Sequence, residues 1–304
     1  MGKIEFGTAL PAVTGVAEFA RRAEDLEYDF LGCGEHVMFY GPVANTFISL
    51  SVAAGATQRI KLLSSVVLLP LYPAALAAKL GATLDVVSGG RYHFGVGIGG
   101  EFPKEFEACG VPVNQRGART NEALEVITKL WTEKNVTFKG KFTTLNEVSI
   151  EPTPLQKPRP PIWVAGRKEP AMKRTAKYAD GWLPYMYTPQ QLHESVETIT
   201  KLRKEYGRES HTFTPGIFVF AAVHASGDQA RQMAAEKLGK QYNQDFSKLI
   251  GKYALAGTPE ECQKRLKEYV DAGAQMIILP SACRPDYVDE NTRLLAKEVI
   301  SAFR

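Results

Sequence analysis

The sequence predicts an α/β protein that folds as a single (β/α)8 TIM barrel. Three observations lead to this prediction. Eight strand-like segments alternate with helical ones, no linker divides the chain, and its 304 residues exceed the roughly 250 that such a barrel uses. Strands separated by helices form parallel βαβ units, and eight such units favour a closed barrel over an open sheet. We therefore predict one domain over residues 1–304.

The eight predicted strands are short runs of apolar and β-branched residues. In chain order they span residues 3–10, 29–34, 60–67, 91–98, 162–165, 181–183, 213–223 and 275–279. The helical segments between them show apolar residues at the spacing of a 3.6-residue period. They span residues 13–26, 47–56, 73–87, 115–134, 170–178, 189–206, 229–237, 259–272 and 287–303. Thr14 is the predicted N-cap of the first helix, and the glycines at 89–90 end the third.

The alternation is interrupted once, at residues 136–161. Residues 136–145 predict a hairpin that turns at 139–141, and residues 151–161 contain five prolines. Such a stretch is excluded from a helix interior and from a central strand, because proline lacks the backbone N–H that both require. Since the alternation resumes at residue 162, we predict an insertion after the fourth helix rather than a domain boundary.

Composition and charge exclude several classes of function. The net charge is +4 and no run of five like charges occurs, so no nucleic-acid-binding arm is predicted. The four cysteines include no C-x-x-C pair, and we therefore predict no metal site. No stretch of 18 apolar residues and no secretory signal is found, which predicts a cytoplasmic protein that does not enter a membrane.

Candidate catalytic residues follow the predicted strands, because the active site of such a barrel lies where its strands end. His36 follows the second strand, where an imidazole exchanges protons near neutral pH. Glu101 follows the fourth strand, where a partly dry barrel mouth raises the pKa of a carboxyl group. A structural histidine and a solvated loop carboxylate are the alternatives. Glu35 is expected to point away from the site, since neighbours alternate along a strand. Thr8, at the end of the first strand, is assigned to the cofactor site at the same rim.

Glycine-rich segments follow two further strands. Residues 95–100 match G-x-G-x-x-G, but Pro103 follows closely and no helix begins at the last glycine, so we reject a dinucleotide-binding motif. The fifth strand runs into Gly166 and Arg167 before a helix with Pro170 in its first turn. Free backbone N–H groups at such a helix start bind phosphate, and the cation adds charge. An ordinary strand-to-helix turn is the alternative.

Aromatic residues follow two strands at the same end of the predicted barrel. Phe39 follows His36, while Trp182 and Tyr185 belong to the sixth strand and its loop. They predict an apolar pocket for a small organic substrate, with core packing as the alternative.

These residues stand in segments that resemble the luciferase-like monooxygenase superfamily, which includes flavin-dependent monooxygenases and deazaflavin-dependent oxidoreductases. The resemblance rests on GCGEH at 32–36, on the glycine-rich segment at 84–112, on RGARTNEALEVITKLW at 116–131, and on PRPPIWVAGR followed by ADGW at 158–182. It implies a (β/α)8 barrel with an insertion after the fourth helix. It also implies a homodimer.

The resemblance further implies roles for individual residues. His36 matches a histidine that contacts the cofactor ring. The Ser65–Val66 step matches a bulge in the third strand, often with a cis peptide bond, that supports one face of the ring. The phosphate cradle of the family matches Ala165, Gly166 and Arg167.

The cofactor implied is coenzyme F420 or FMN. The pair at 100–101 resembles the Gly-Glu that supplies an acid in some deazaflavin enzymes, whereas many flavin-using members have Gly-Trp there. Lys104 replaces an asparagine of those deazaflavin enzymes, and Tyr72 replaces the histidine of a His-Pro pair. We favour hydride transfer between reduced coenzyme F420 and an organic substrate. The alternatives are a two-component FMN-dependent monooxygenase, which needs O2 and a separate flavin reductase, and a non-catalytic flavin-binding protein.

Overall fold

The computed structural model describes residues 3–304, so positions 1 and 2 of the predicted domain lie outside the described residues. Nine parallel strands form one closed sheet. Two of them, β3 and β4, are halves of a single interrupted strand, so the barrel has eight strand positions, called staves below. The strands are β1 (Glu5–Ala9), β2 (Phe30–Cys33), β3 (Lys61–Ser64), β4 (Val67–Leu68), β5 (Tyr92–Gly97), β8 (Ile162–Val164), β9 (Gly181–Trp182), β10 (Thr214–Phe218) and β13 (Met276–Ile278). Around the barrel the order is β3-β2-β1-β13-β10-β9-β8-β5, and β5 closes the ring by pairing with β3 and β4. The predicted TIM barrel is therefore confirmed.

Helices surround this barrel and return the chain to the start of each following strand. They are α1 (Val16–Asp25), α2 (Thr46–Ala56), α3 (Ala74–Val87), α4 (Pro103–Ala108), α5 (Arg116–Thr132), α6 (Glu169–Tyr178), α7 (Pro189–Glu205), α8 (Gly227–Tyr242), α9 (Ile250–Tyr253), α10 (Pro259–Asp271) and α11 (Val288–Leu294). After α5 the chain forms an antiparallel hairpin of β6 (Val136–Lys139) and β7 (Thr144–Val148), which turns at residues 140–143 and extends beyond the predicted residues 136–145. Every helix within residues 3–304 is too short or too polar to cross a bilayer.

The third stave of the barrel is interrupted between β3 and β4, where the Ser65–Val66 peptide bond is cis. The neighbouring strand β5 comes very close to this point. A Cβ atom added to Gly95 would lie 1.9 Å from the carbonyl oxygen of Ser64, so only glycine fits there. The Gly95 amide donates a hydrogen bond of 2.7 Å to Ser64 Oγ. The glycines of β5 thus allow a close backbone approach to the interrupted strand.

The apolar residues form three clusters rather than one. The largest lies between the barrel and its helices, and a small one fills the barrel interior around Phe30, Leu63 and Trp163. The third lies beyond the barrel, where α8 packs on β11 (Ala221–Val223) and β12 (Leu255–Gly257). Because this third cluster stands at the ends of the strands, it builds a wall over the barrel mouth.

The structure corrects several predicted elements. The strand predicted at 213–223 is two strands, β10 in the barrel and β11 outside it, and β11 pairs with β12, which the sequence analysis missed. Helices α4 and α9 were also missed, because neither is long enough to show a helical period. Thr14 is not the N-cap of α1. Gly15 takes that position with φ of 68°, and no side chain caps the helix.

Candidate active site

A cavity of about 1590 Å3 opens at the C-terminal ends of the barrel strands. Its walls come from the loops after these strands and from α8, and its lining is more apolar than polar. Nine of the predicted functional residues belong to its wall or floor: His36, Phe39, Ser65, Val66, Glu101, Ala165, Gly166, Arg167 and Tyr185. Residues that lie far apart in the sequence therefore meet at one rim, as the barrel topology predicts.

His36 is held in place by a carboxylate that the sequence analysis missed. Its Nδ1 atom lies 3.2 Å from both Oε1 and Oε2 of Glu105, whose side chain is 0 % exposed. The same carboxylate accepts a hydrogen bond of 3.2 Å from the Val37 amide. On its other side, the imidazole ring stacks on Phe39, with 4.0 Å between the ring centroids. The ring orientation is thus set by Glu105, and Nε2 is the nitrogen available for exchange with a ligand.

Glu105 owes its position to the short helix α4. Pro103 begins this helix, and its first turn carries Glu105, whose side chain turns inward beside the buried Phe106. The segment P-K-E-F carries a helix-start signal, a proline followed by a glutamate in the first turn, which could have identified it. A carboxylate buried this deeply requires a charged or hydrogen-bonding partner, and His36 provides one.

Glu101 lies at the mouth of the same cavity. Tyr185 donates a hydrogen bond to its Oε1, and the guanidinium of Arg167 lies over the Tyr185 ring, 5.0 Å from its centroid. The surrounding protein desolvates the carboxyl group and thereby raises its pKa, although His36 and Arg167 act in the opposite direction. Glu101 therefore retains its proton to a higher pH than an ordinary glutamic acid.

The floor of the cavity contains a polar atom without a protein partner. Ser65 Oγ is buried and makes no hydrogen bond among the described residues, and Ser65 and Val66 both line the cavity. A buried hydroxyl without a partner is costly unless a ligand or a water satisfies it. The interrupted strand thus leaves one unpaired hydroxyl beneath the floor of the cavity, close to Gly32.

The start of α6 offers a second set of free polar groups. Within residues 3–304, the amides of Gly166, Arg167 and Lys168 donate to no protein acceptor, and no side chain caps the helix. Gly166 has φ of +125°, and a Cβ atom there would lie 2.7 Å from the Cβ of Ala171. These N–H groups and the adjacent cation have the features of an anion site.

Two predicted site residues lie outside the cavity. Thr8 is 1 % exposed, and its hydroxyl donates to the carbonyl oxygen of Leu279 at 3.3 Å. Trp182 is 0 % exposed, and its indole donates to the carbonyl oxygen of Gly166 at 2.9 Å. Both side chains pack between elements instead of facing the mouth. Trp182 therefore supports the Gly166 turn from behind and does not line a substrate pocket.

Glu35 has a structural role, as its predicted direction suggests. It accepts hydrogen bonds from the amides of Leu68 (2.9 Å) and Thr46 (3.2 Å) and from the Tyr72 hydroxyl (3.1 Å). Burial raises its pKa. Tyr72 is thereby tied to the loop that carries His36. Across residues 3–304, no three potential metal-ligating side chains are grouped to hold a metal ion.

Comparisons with known proteins agree with this arrangement. The family model described as luciferase-like monooxygenase matches residues 4–276. An uncharacterized protein of Mycobacterium tuberculosis is 32 % identical over 187 residues, which cover 61 % of this chain and 64 % of that protein. An FMNH(2)-dependent dimethylsulfone monooxygenase of Pseudomonas putida is 29 % identical over 61 % of this chain and 50 % of its own. An F420-dependent glucose-6-phosphate dehydrogenase of Amycolatopsis mediterranei is 24 % identical over 86 % of this chain and 87 % of its own.

Two solved structures share the fold over nearly the whole length. The monooxygenase RslO1 from Streptomyces bottropensis superposes with a TM-score of 0.87 at 22 % identity, covering 99 % of this chain and 100 % of its own. An F420-dependent secondary alcohol dehydrogenase superposes with the same TM-score of 0.87 at 21 % identity, covering 100 % of both chains. The relatives thus include enzymes of both cofactor classes, and the matched family model spans most of the chain. The chain belongs to the luciferase-like monooxygenase family, as the motifs around His36 and Gly166 predicted.

Proposed function

We propose that this protein is an oxidoreductase that uses coenzyme F420 for hydride transfer with an organic substrate. The observation that carries the proposal is the presence of two proton-carrying groups in one cavity: His36, oriented by Glu105, and Glu101, with its raised pKa. A hydride transfer to or from an oxygen-bearing carbon requires a proton to move at the oxygen, which is the task such groups perform.

The free polar groups of the cavity fit a cofactor of this type. The Ser65–Val66 step on the floor would support the ring, and the free amides at 166–168 together with Arg167 would hold a phosphate. A bound deazaflavin supplies the two-electron hydride chemistry, for which no protein side chain is suited. The protein supplies binding, orientation and proton transfer.

The residues divide these tasks by position. Glu105 fixes the His36 ring through Nδ1, so that Nε2 holds or accepts a proton inside the cavity. Glu101 donates a proton when a substrate is reduced, because its raised pKa keeps the carboxyl group protonated closer to neutral pH. Tyr185 donates a hydrogen bond to Glu101 and thereby keeps that carboxyl group at the mouth of the cavity.

The competing function is a two-component FMN-dependent monooxygenase, and the 29 % identity to the dimethylsulfone monooxygenase favours it. The same Ser65–Val66 step and amides fit FMN. This function requires a separate flavin reductase as a partner. Oxygen uptake that depends on such a reductase and on an organic substrate distinguishes it from the first.

The direct test is titration of the purified protein with F420 and with FMN, in which the fluorescence of each cofactor reports its binding. We expect F420 to bind more tightly, and Gly166→Ala to weaken its binding about 10-fold or more, because a side chain is strained at φ of +125° and collides with Ala171. Gly251→Ala is the control, since nothing lies within 4 Å of a Cβ at that position. Tight FMN binding without detectable F420 binding would exclude the proposal.

The raised pKa of Glu101 predicts the pH dependence of substrate reduction. The acid form donates the proton, so turnover is expected to persist at low pH and to fall as the pH rises through the raised pKa. Glu101→Gln should lower turnover about 100-fold and remove this alkaline limb. Glu107→Gln, on the exposed side of α4, should leave the profile unchanged. An alkaline limb that survives in Glu101→Gln assigns the proton to another group.

We further propose a homodimer, supported by an exposed apolar face on α2 and α3. Ile48 and Val52 are 69 % and 47 % exposed on α2, while Leu76 and Val87 are 48 % and 58 % exposed on α3. The two helices pack side by side, so these residues form a patch that a second copy would cover. The double variant Ile48→Glu/Val87→Glu should sediment as a monomer. Val148→Glu, on the hairpin, is the control, and a wild-type monomer at micromolar concentration would contradict the proposal.

A further inference from the structure

Aromatic side chains form an arc along one wall of the cavity. Phe39 contacts Tyr242 edge to face, with 6.1 Å between ring centroids, and Tyr242 contacts Phe220 in the same way at 6.2 Å. Phe220 contacts Phe218 at 5.4 Å, and Phe218 pairs through its backbone with Tyr185. All five rings line the cavity, and they come from four different segments of the chain.

Each end of this aromatic arc contacts one of the two proposed proton-carrying groups. At one end Phe39 stacks on His36, and at the other Tyr185 bonds to Glu101. A molecule held against the arc is therefore within the cavity region that both groups face. If these rings served only core packing, they would be buried away from the cavity and would not need to contact His36 and Glu101.

The arc differs from an ordinary core in its exposure and geometry. Phe39, Tyr185, Phe218 and Tyr242 are only partly buried, although they belong to the apolar cluster or stack beside it. In an edge-to-face pair the edge of one ring packs on a face of the other, so ring faces remain that can meet another planar group. The cations at the same rim include Lys168 and Lys240, which are exposed and therefore well solvated. The apolar wall is thus the part of the cavity that discriminates most strongly between aromatic and polar ligands.

We propose that the aromatic arc, defined as Phe39, Tyr242, Phe220, Phe218 and Tyr185, binds the substrate, and that the substrate is an uncharged molecule with one or two fused aromatic rings. Its oxygen-bearing carbon lies in the space served by His36 and Glu101. The catalytic part of this statement rests on the proposed function, whereas the binding part does not require the cofactor. The arc disfavours sugar phosphates, because most of its surface is aromatic carbon and only two phenolic hydroxyls are available to their many hydroxyl groups.

The proposal is tested by measuring the binding of 2-naphthol to the cofactor-free protein, with the fluorescence of 2-naphthol as the readout. We expect saturable binding of 2-naphthol. Decahydro-2-naphthol has a similar size but no aromatic ring and no fluorescence, and we expect it to displace 2-naphthol only with an affinity at least 10-fold weaker. Phe39→Leu and Tyr242→Leu should each weaken 2-naphthol binding about 3- to 10-fold, the range expected for loss of one aromatic contact. Tyr206→Leu is the control, because Tyr206 is exposed at the end of α7 and outside the cavity.

The outcomes separate this proposal from the proposed function. Equal affinities for the aromatic and the saturated alcohol, or unchanged affinity in both arc variants, would overturn the aromatic site. Competition by glucose 6-phosphate at similar concentration would also overturn it. If 2-naphthol binds as expected while F420 does not bind, the arc stands and the cofactor assignment fails. If F420 binds and 2-naphthol does not, the cofactor assignment stands and the arc fails as a substrate site.

Discussion

Replacement of His36 by alanine should lower turnover by about 100-fold or more while the protein still binds its cofactor. The proposed function makes this imidazole one of the two proton carriers, and a positioned acid–base group contributes about 10²- to 10⁴-fold. The phosphate-binding groups at 166–168 belong to a different loop, so cofactor affinity should change only a few-fold. Steady-state kinetics and cofactor titration of the same preparation measure both quantities.

Two companion variants make this result interpretable. His36→Ala leaves the buried carboxylate of Glu105 without its partner, which by itself destabilises the fold. His36→Asn retains an N–H donor toward that carboxylate, and it should therefore lose turnover without a comparable loss of stability. His193→Ala is the matched control, because His193 lies on α7 with 61 % of its side chain exposed. Turnover in His36→Asn within 10-fold of wild type would contradict a proton-transfer role.

Replacement of Gly95 by alanine should produce the largest loss of stability of any single methyl addition in the barrel. The added Cβ would lie 1.9 Å from the carbonyl oxygen of Ser64, and backbone atoms on two paired staves cannot yield as a flexible side chain would. Overpacking usually costs about 1–3 kcal/mol, and this contact lies at or above the upper end of that range. We expect the free energy of unfolding to fall by about 3 kcal/mol or more, measured by urea denaturation.

Gly251→Ala provides the comparison for this experiment as well. It lies in α9, where nothing stands within 4 Å of the added Cβ, so its stability should be unchanged or raised by up to about 1 kcal/mol. The hydrogen bond between the Gly95 amide and Ser64 Oγ also joins the strand to the residue before Ser65. Gly95→Ala should therefore weaken cofactor binding in whatever folded fraction remains. A stability equal to that of Gly251→Ala would show that the two staves separate easily.

Much of the fold and part of the site follow from local sequence patterns. Apolar runs alternating with amphipathic segments predict the staves of the barrel, because each pattern reflects the side of an element that must be buried. The barrel topology then brings the strand ends together, which is why His36 and Glu101 could be assigned to one rim. Short elements were not predicted in this way. The six residues of α4 show too little periodicity, and the position of Glu105 was therefore not predicted either.

Local sequence patterns were enough to identify the barrel, its family and the rim at which the cavity opens, because these depend on patterns that repeat along the chain and on motifs of adjacent residues. Which side chains face the cavity became known only from the packing of the folded chain. Thr8 and Trp182 stand at strand ends yet point into packed layers, while Glu105 reaches His36 across 69 positions of sequence. The direction of a side chain depends on the space left by residues distant in sequence, and no local pattern records that space.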